Sequence, residues 1–349
     1  MEITQLGFPP LTMAVFVGIA VGALLLDMVT HRGNKPVSLM KASIWSIFWI
    51  AISLAFAGFL YVEHGAHVAS LFVTGYALEK VLSVDNLFVF MAIFAWFKVP
   101  EGLRHRVLYW GIIGAIVFRG VFVAIGTGLL AFGPWVEIVF AVIVAWTAVM
   151  MLRSGGDEEE EEDYSKHMAY RFAKKLFPVW PKLHGNKFFV RRKELEVELL
   201  KPENKGMSLA AKGGLFATPL FLCLVVAEVS DVLFAFDSVP AVIAVSREPL
   251  IVYSAMLFAI LGLRTMYFVL EALKRYLVHL EKAVIALLFF IAIKLGLNAT
   301  NHMFHHGYNI DPNTSLLIVM VVLIIGILAS VIFPAKEEPR QNPTETSVT

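Results

Sequence analysis

Cysteine is almost absent from this 349-residue sequence, in which Cys223 stands alone. A single thiol excludes an intramolecular disulfide. It also excludes a thiolate cluster for a soft metal built from one chain. Charge is scarce too: Asp, Glu, Lys and Arg make up 16% of the chain, against about 25% in a soluble domain. The net charge of +1 points to no partner. Together with the apolar content described next, these shortages exclude a disordered chain, a nucleic-acid binder and an ordinary cytosolic enzyme. The first residues, Met1-Glu2-Ile3-Thr4-Gln5, lack the basic start of a cleaved signal peptide. The first apolar segment is therefore expected to stay as a membrane span.

What the chain has instead is apolar bulk, 58% of all residues, with a mean hydropathy of +0.73. Apolar stretches fall near 11–30, 43–62, 68–97, 107–129, 132–152, 213–246, 249–272, 282–300 and 314–334. A span needs about 20 apolar residues, so the expected fold class is all-α, a polytopic helical membrane protein with about nine transmembrane helices. The third and sixth stretches are too long for one simple helix, and each contains several ionisable residues. Lipid-facing helices do not tolerate such residues.

With the N-terminus outside, the segments 31–42, 98–106, 153–212, 273–282 and 335–349 face the cytoplasm and carry 24 of the 29 basic residues. Arg247 is the one basic residue of the opposite loops, and Lys80, Arg119, Arg264 and Lys294 lie inside spans. The positive-inside rule then gives an N-out, C-in protein, and the expected location is the inner membrane. Three regions follow: 1–152 as an N-terminal transmembrane half, 153–212 as a cytoplasmic loop, and 213–349 as a C-terminal transmembrane half with a short tail. The loop opens with the acidic run Asp157-Glu158-Glu159-Glu160-Glu161-Glu162-Asp163. It reads as a solvated linker with a surface helix around 191–201, or, alternatively, as a docking site for a cytosolic partner.

The two long stretches resemble each other. Glu79-Lys80-Val81-Leu82-Ser83-Val84-Asp85-Asn86 and Asp231-Val232-Leu233-Phe234-Ala235-Phe236-Asp237-Ser238 both read acid, five residues, acid, small polar residue. The next span carries an arginine each time, Arg119 and then Arg264. The copies are three spans apart, so the second must cross the bilayer in the opposite direction. Inverted repeats of this kind form a transport site at their interface.

Glu79, Asp85, Glu228, Asp231 and Asp237 are five acids in two spans. Each is costly in the membrane unless paired, protonated or bound to a cation. Carboxylates, with Asn86 and Ser238 as neutral oxygens beside them, suit a hard cation such as Mg, Ca or Mn. Glu79 and Asp85 can reach one ion only if the helix breaks between them, so discontinuous helices are expected at both repeats, with Asp85 and Asp237 at the breaks and Pro240 opening a new helix. The competing reading is a structural network in which Lys80, Arg119, Arg264 and Lys294 neutralise the acids. Arg119 and Arg264 fit either gating or static packing. His64, His67, His302, His305 and His306 gather in the outer loops. They read as polar loop residues, with a metal-release vestibule or pH sensor as the alternative.

Gly75-Tyr76-Ala77-Leu78-Glu79-Lys80-Val81-Leu82-Ser83-Val84-Asp85-Asn86 and Glu228-Val229-Ser230-Asp231-Val232-Leu233-Phe234-Ala235-Phe236-Asp237-Ser238-Val239-Pro240-Ala241 resemble the two hallmark motifs of the TerC family of integral membrane proteins. Gly262-Leu263-Arg264-Thr265-Met266-Tyr267-Phe268 is similar to a third. The long loop with its acidic run looks like the tellurium-resistance branch of that family. The resemblance implies a LysE-like arrangement of three-span repeats and acidic motif residues at Glu79, Asp85, Asn86, Glu228, Asp231, Asp237 and Ser238. It implies two functions that do not fully agree: manganese export, and a place in a tellurite-resistance membrane complex with soluble partners such as TerB.

The expected function is export of a hard divalent cation, Mn2+ foremost, with Asp85 and Asp237 as central ligands. Glu79, Glu228 and Asp231 would be further ligands or proton carriers. The rivals are a membrane anchor that recruits cytosolic partners through 153–212, and an exporter of the tellurite oxyanion. No nucleophile–base arrangement or cofactor motif is visible, so no enzyme activity and no resident cofactor are expected.

Overall fold

The structure is a computed structural model, and it describes residues 9–30, 38–154, 167–201, 214–273, 280–305, 307–308 and 310–332. The side chains of residues 27–30, 85, 154, 237, 280 and 281 also fall outside the description. The helices are α1 (Pro10–Thr30), α2 (Leu39–Trp96), α3 (Glu101–Leu129), α4 (Pro134–Ser154), α5 (Met168–Leu176), α6 (Arg192–Leu199), α7 (Pro219–Ile243), α8 (Pro249–Ile260), α9 (Leu263–Leu273), α10 (Leu280–Phe304) and α11 (Pro312–Ile332). Two three-residue strands, β1 (Phe189–Arg191) and β2 (Leu215–Ala217), pair antiparallel. The chain is an all-α polytopic membrane protein, and every apolar stretch read from the sequence contains a helix.

Six of these helices are long and apolar enough to cross a membrane, or seven if the bent α8–α9 pair is one span. This is fewer than the nine expected from hydropathy, partly because the 58 residues of α2 count once. A straight helix of that length would run about 87 Å, far beyond the roughly 30 Å hydrocarbon core. Gly65 breaks it, with φ 83° and ψ 174°. Beyond that point the chain folds back on itself, because the Phe56 and Phe72 ring centroids are 5.2 Å apart. Sixteen residues of unbroken helix would separate them by about 24 Å.

The second break lies between α8 and α9, which meet at 53°. Gly262 takes φ 81° there, a region that favours glycine. A Cβ on Gly262 would come within 2.6–2.9 Å of Trp49 side-chain atoms, so the close approach also excludes a larger residue. α8 is buried along nearly its whole length and packs against α2 and α3 at the centre of the bundle. An apolar helix with no polar face belongs in that position. The outward faces of α4 and α11 remain apolar, as at Trp146, Leu317 and Ile325, and these side chains meet lipid.

Between α4 and α7 lies a small module outside the apolar helices. Trp180, Val190, Leu195 and Phe216 form its own apolar cluster. The surface helix read at 191–201 is present as α6, Arg192–Leu199. Lys187 lies 2.5 Å from Glu194, and its hydrogen bond holds that carboxyl below the ordinary carboxylate range. The acidic run 157–163 falls outside the described residues.

Candidate functional site

The centre of the bundle is built by the second segment of α2, by α3 and by α7. Arg119 of α3 is almost wholly buried between the other two. Through Nη1 it forms an ion pair with Glu79 Oε1 of α2. On its other side, Nη2 donates to Asp231 Oδ1 of α7 at 3.0 Å and Nε donates to Oδ2 at 3.4 Å. One guanidinium therefore joins the two acids that occupy matching positions in the repeated motifs. Ser83, one turn after Glu79, donates to Glu79 Oε1 at 3.4 Å. A planar cation with several fixed donors can bridge two carboxylates in this way, and an ammonium cannot do so with the same geometry.

Glu228 lies one turn before Asp231 on α7. Its Oε2 is buried and has no hydrogen-bond partner. The carboxyl packs against Gly114 of α3, where a Cβ would overlap it. Close by is a small cavity of about 20 Å3, lined by Gly111, Ala115, Ala227, Asp231 and Arg264 among others. That volume holds about one water-sized particle. Asn86 and Ser238 are buried near the second acid of each motif, and Ser238 Oγ has no hydrogen-bond partner.

Among the described residues Lys80 pairs with no carboxylate. Its Nζ donates to the carbonyl oxygens of Ala259 at 3.1 Å and Leu261 at 3.4 Å. These are carbonyls that the α8–α9 break releases, and a cation at a helix C-terminus also suits the helix dipole. Arg264 follows the break and faces the cavity. Lys294 is buried on α10.

The sequence placed helix breaks at Asp85 and Asp237. The structure corrects this: α2 is helical through residue 85, and α7 is helical through 237 with Pro240 inside it. Membrane helices keep an internal proline because neighbouring groups satisfy the freed carbonyl. The breaks occur instead at Gly65 and Gly262. The side chains of Asp85 and Asp237 lie outside the described residues. Among the described residues no three His, Cys, Asp or Glu side chains come together as metal ligands.

Residues assigned no role at the acids from the sequence also matter here. Ser83 and Gly114 touch the acids directly, and their signal in the sequence is only their helical spacing from Glu79 and their small size. In the first turn of α4, buried Glu137 pairs with Arg247 at 2.6 Å, while Arg247 Nη2 lies 3.0 Å from His302 Nδ1. His64 shares a hydrogen bond of 2.8 Å with Thr12 Oγ1. His64 and His302 therefore have separate partners, and His306 lies outside the described residues.

The family model for the integral membrane protein TerC family matches residues 64–338, which include both acidic motifs and all the helices that carry the site. The chain belongs to the TerC family. It is 67% identical over 340 residues to "Tellurium resistance protein TerC" of Serratia marcescens, covering 97% of this chain and 98% of that one. It is 68% identical over 337 residues to the protein of that name from an Alcaligenes species, covering 96% and 97%. A more distant relative, an uncharacterized membrane protein of Rickettsia bellii, is 34% identical over 319 residues, covering 91% of this chain and 96% of that one. No solved structure matches the chain.

Proposed function

We propose that this TerC-family protein exports a hard divalent cation, Mn2+ foremost, and that it has a membrane-associated role in tellurium resistance. The names of its relatives in Serratia and Alcaligenes support the second part. One observation carries the first: among the described residues the bundle holds a buried carboxylate oxygen, Glu228 Oε2, that no hydrogen bond satisfies. Arg119 is shared between Glu79 and Asp231, Lys80 is turned to backbone carbonyls, and the buried Glu228 Oε2 has no hydrogen-bond partner. An uncompensated carboxylate in a membrane interior calls for a cation or a proton.

In this reading Glu228, Asp85 and Asp237 hold the ion, with Asn86 and Ser238 as auxiliary oxygens. Glu79 and Asp231 hold Arg119, a positioning group whose bridge joins the two halves. Arg264 at the cavity is a gating partner. With α2 divided at Gly65 and the bent α8–α9 pair counted as one span, the apolar helices make nine spans, arranged as a LysE-like inverted repeat with the N-terminus outside and the C-terminus in the cytoplasm of an inner membrane. The protein has no resident cofactor and catalyses no covalent step.

Metal accumulation by everted membrane vesicles tests this. Vesicles with the wild-type protein should accumulate Mn2+, and Glu228→Gln, Asp85→Asn or Asp237→Asn should each abolish the excess over empty vesicles. Equal accumulation in all four overturns the assignment. A second reading has its own support, since the module around Trp180, Val190, Leu195 and Phe216 is a folded surface rather than a bare linker. It would anchor cytosolic partners such as TerB through 153–212. Replacing that loop by a flexible linker should then remove resistance while leaving Mn2+ accumulation intact.

A further inference from the structure

The nine residues of α5, Met168 to Leu176, present an apolar stripe that the bundle leaves uncovered. Met168, Phe172 and Leu176 are spaced four apart, so they share an arc of about 80° on the helix. They are 83%, 62% and 57% exposed. The neighbouring edge of the helix is Ala169 and Ala173, both buried against the protein. The edge beyond the stripe on the other side carries Arg171, Lys174 and Lys175, all exposed.

The position of α5 decides what meets this stripe. The Tyr170 ring stacks edge-on against Trp96 at 5.5 Å and approaches Phe97 at 6.1 Å. These two residues end α2, so α5 lies at the depth where a transmembrane helix leaves the hydrocarbon. α5 also packs on α7, which carries the site's acids. Its alanine edge rests on the bundle, its apolar stripe continues the lipid-facing surface, and its basic edge lies beside that stripe. A helix with a large apolar face next to a cationic one, set at membrane level, lies in the headgroup region. Cations there attract anionic lipid.

We propose that α5 is an interfacial anchor. Met168, Phe172 and Leu176 enter the acyl boundary, and Arg171, Lys174 and Lys175 face anionic headgroups. The helix thereby ties the module around Trp180, Val190, Leu195 and Phe216 to the bilayer beside α7. This assignment rests on the protein being a membrane protein and is independent of the transported ion.

The test uses the full chain in nanodiscs, carrying Phe172→Cys or Arg171→Cys with a nitroxide label. Native Cys223 is fully buried, which leaves the introduced thiol as the reactive one. In discs containing phosphatidylglycerol, the label at 172 should be severalfold more accessible to oxygen than to a water-soluble nickel complex, and the label at 171 should show the reverse. The ratio at 172 should fall when Lys174→Glu and Lys175→Glu are added. Equal nickel accessibility at both sites means an aqueous face and overturns the proposal. Low accessibility to both reagents at 172 means protein covers the stripe, and overturns it as well. No change on charge reversal overturns the anionic headgroup contact.

Discussion

A guanidinium inside a membrane bundle is tolerated where carboxylates meet it, and Arg119 meets Glu79 through one nitrogen and Asp231 through two others. Arg119→Ala leaves two buried acids facing each other without a cation. Loss of one partner of a buried pair costs about 3–5 kcal/mol. Thermal unfolding of the purified protein in detergent should show a loss of that order, and adding Glu79→Gln with Asp231→Asn should restore most of it. Arg119→Lys should fall between, because an ammonium cannot bridge both carboxylates in the same plane. Gly114 makes a second prediction. Gly114→Ala must push the Glu228 carboxyl aside and should abolish Mn2+ accumulation in everted vesicles, whereas Gly111→Ala, with open space around it in α3, should keep accumulation and gain up to about 1 kcal/mol of stability. These acids and arginines were legible as buried charges from the sequence. Their pairing was not, because Glu79, Arg119 and Asp231 come from three helices far apart in the chain.

Helix breaks were expected at the acidic motifs, where Asp, Ser, Asn and Pro favour caps. They fall instead at two glycines. Capping preference is worth about 1 kcal/mol, and packing inside a bundle overrides it. A left-handed φ is a sharper constraint, since a side chain at Gly65 costs of order 1–3 kcal/mol in strain. Gly65→Ala should lower unfolding stability by that amount. Gly262→Ala should cost more, because its Cβ also meets the Trp49 ring. Comparing the two midpoints in one detergent checks the order, and an equal loss would mean that Trp49 yields freely. Lys80 was read from the sequence as a partner for acids. Only the position of the α8 terminus explains why it donates to carbonyls.

Orientation belongs to the whole molecule. The second segment of α2 runs from the Gly65 turn to Trp96, where Tyr170 of α5 packs, so that turn and α5 lie at opposite ends of it. With the N-terminus outside, a membrane-impermeant maleimide applied to spheroplasts should label Ala66→Cys and leave Leu200→Cys unmodified; inside-out vesicles should reverse the pattern. Labelling of both from one side would break the proposed topology. Position 66 is exposed, and Leu200 is 85% exposed, so access is limited by the membrane alone.

Composition and periodicity alone determined the solvent this protein lives in, the position of its apolar segments, and the presence of ionisable residues within them, because the cost of charge in hydrocarbon is a local property of each stretch. The tertiary structure decided which charges neutralise one another, where the backbone bends, and which apolar stripe of the loop stays uncovered. Those are sums over neighbours from several helices, and no window along the chain contains them.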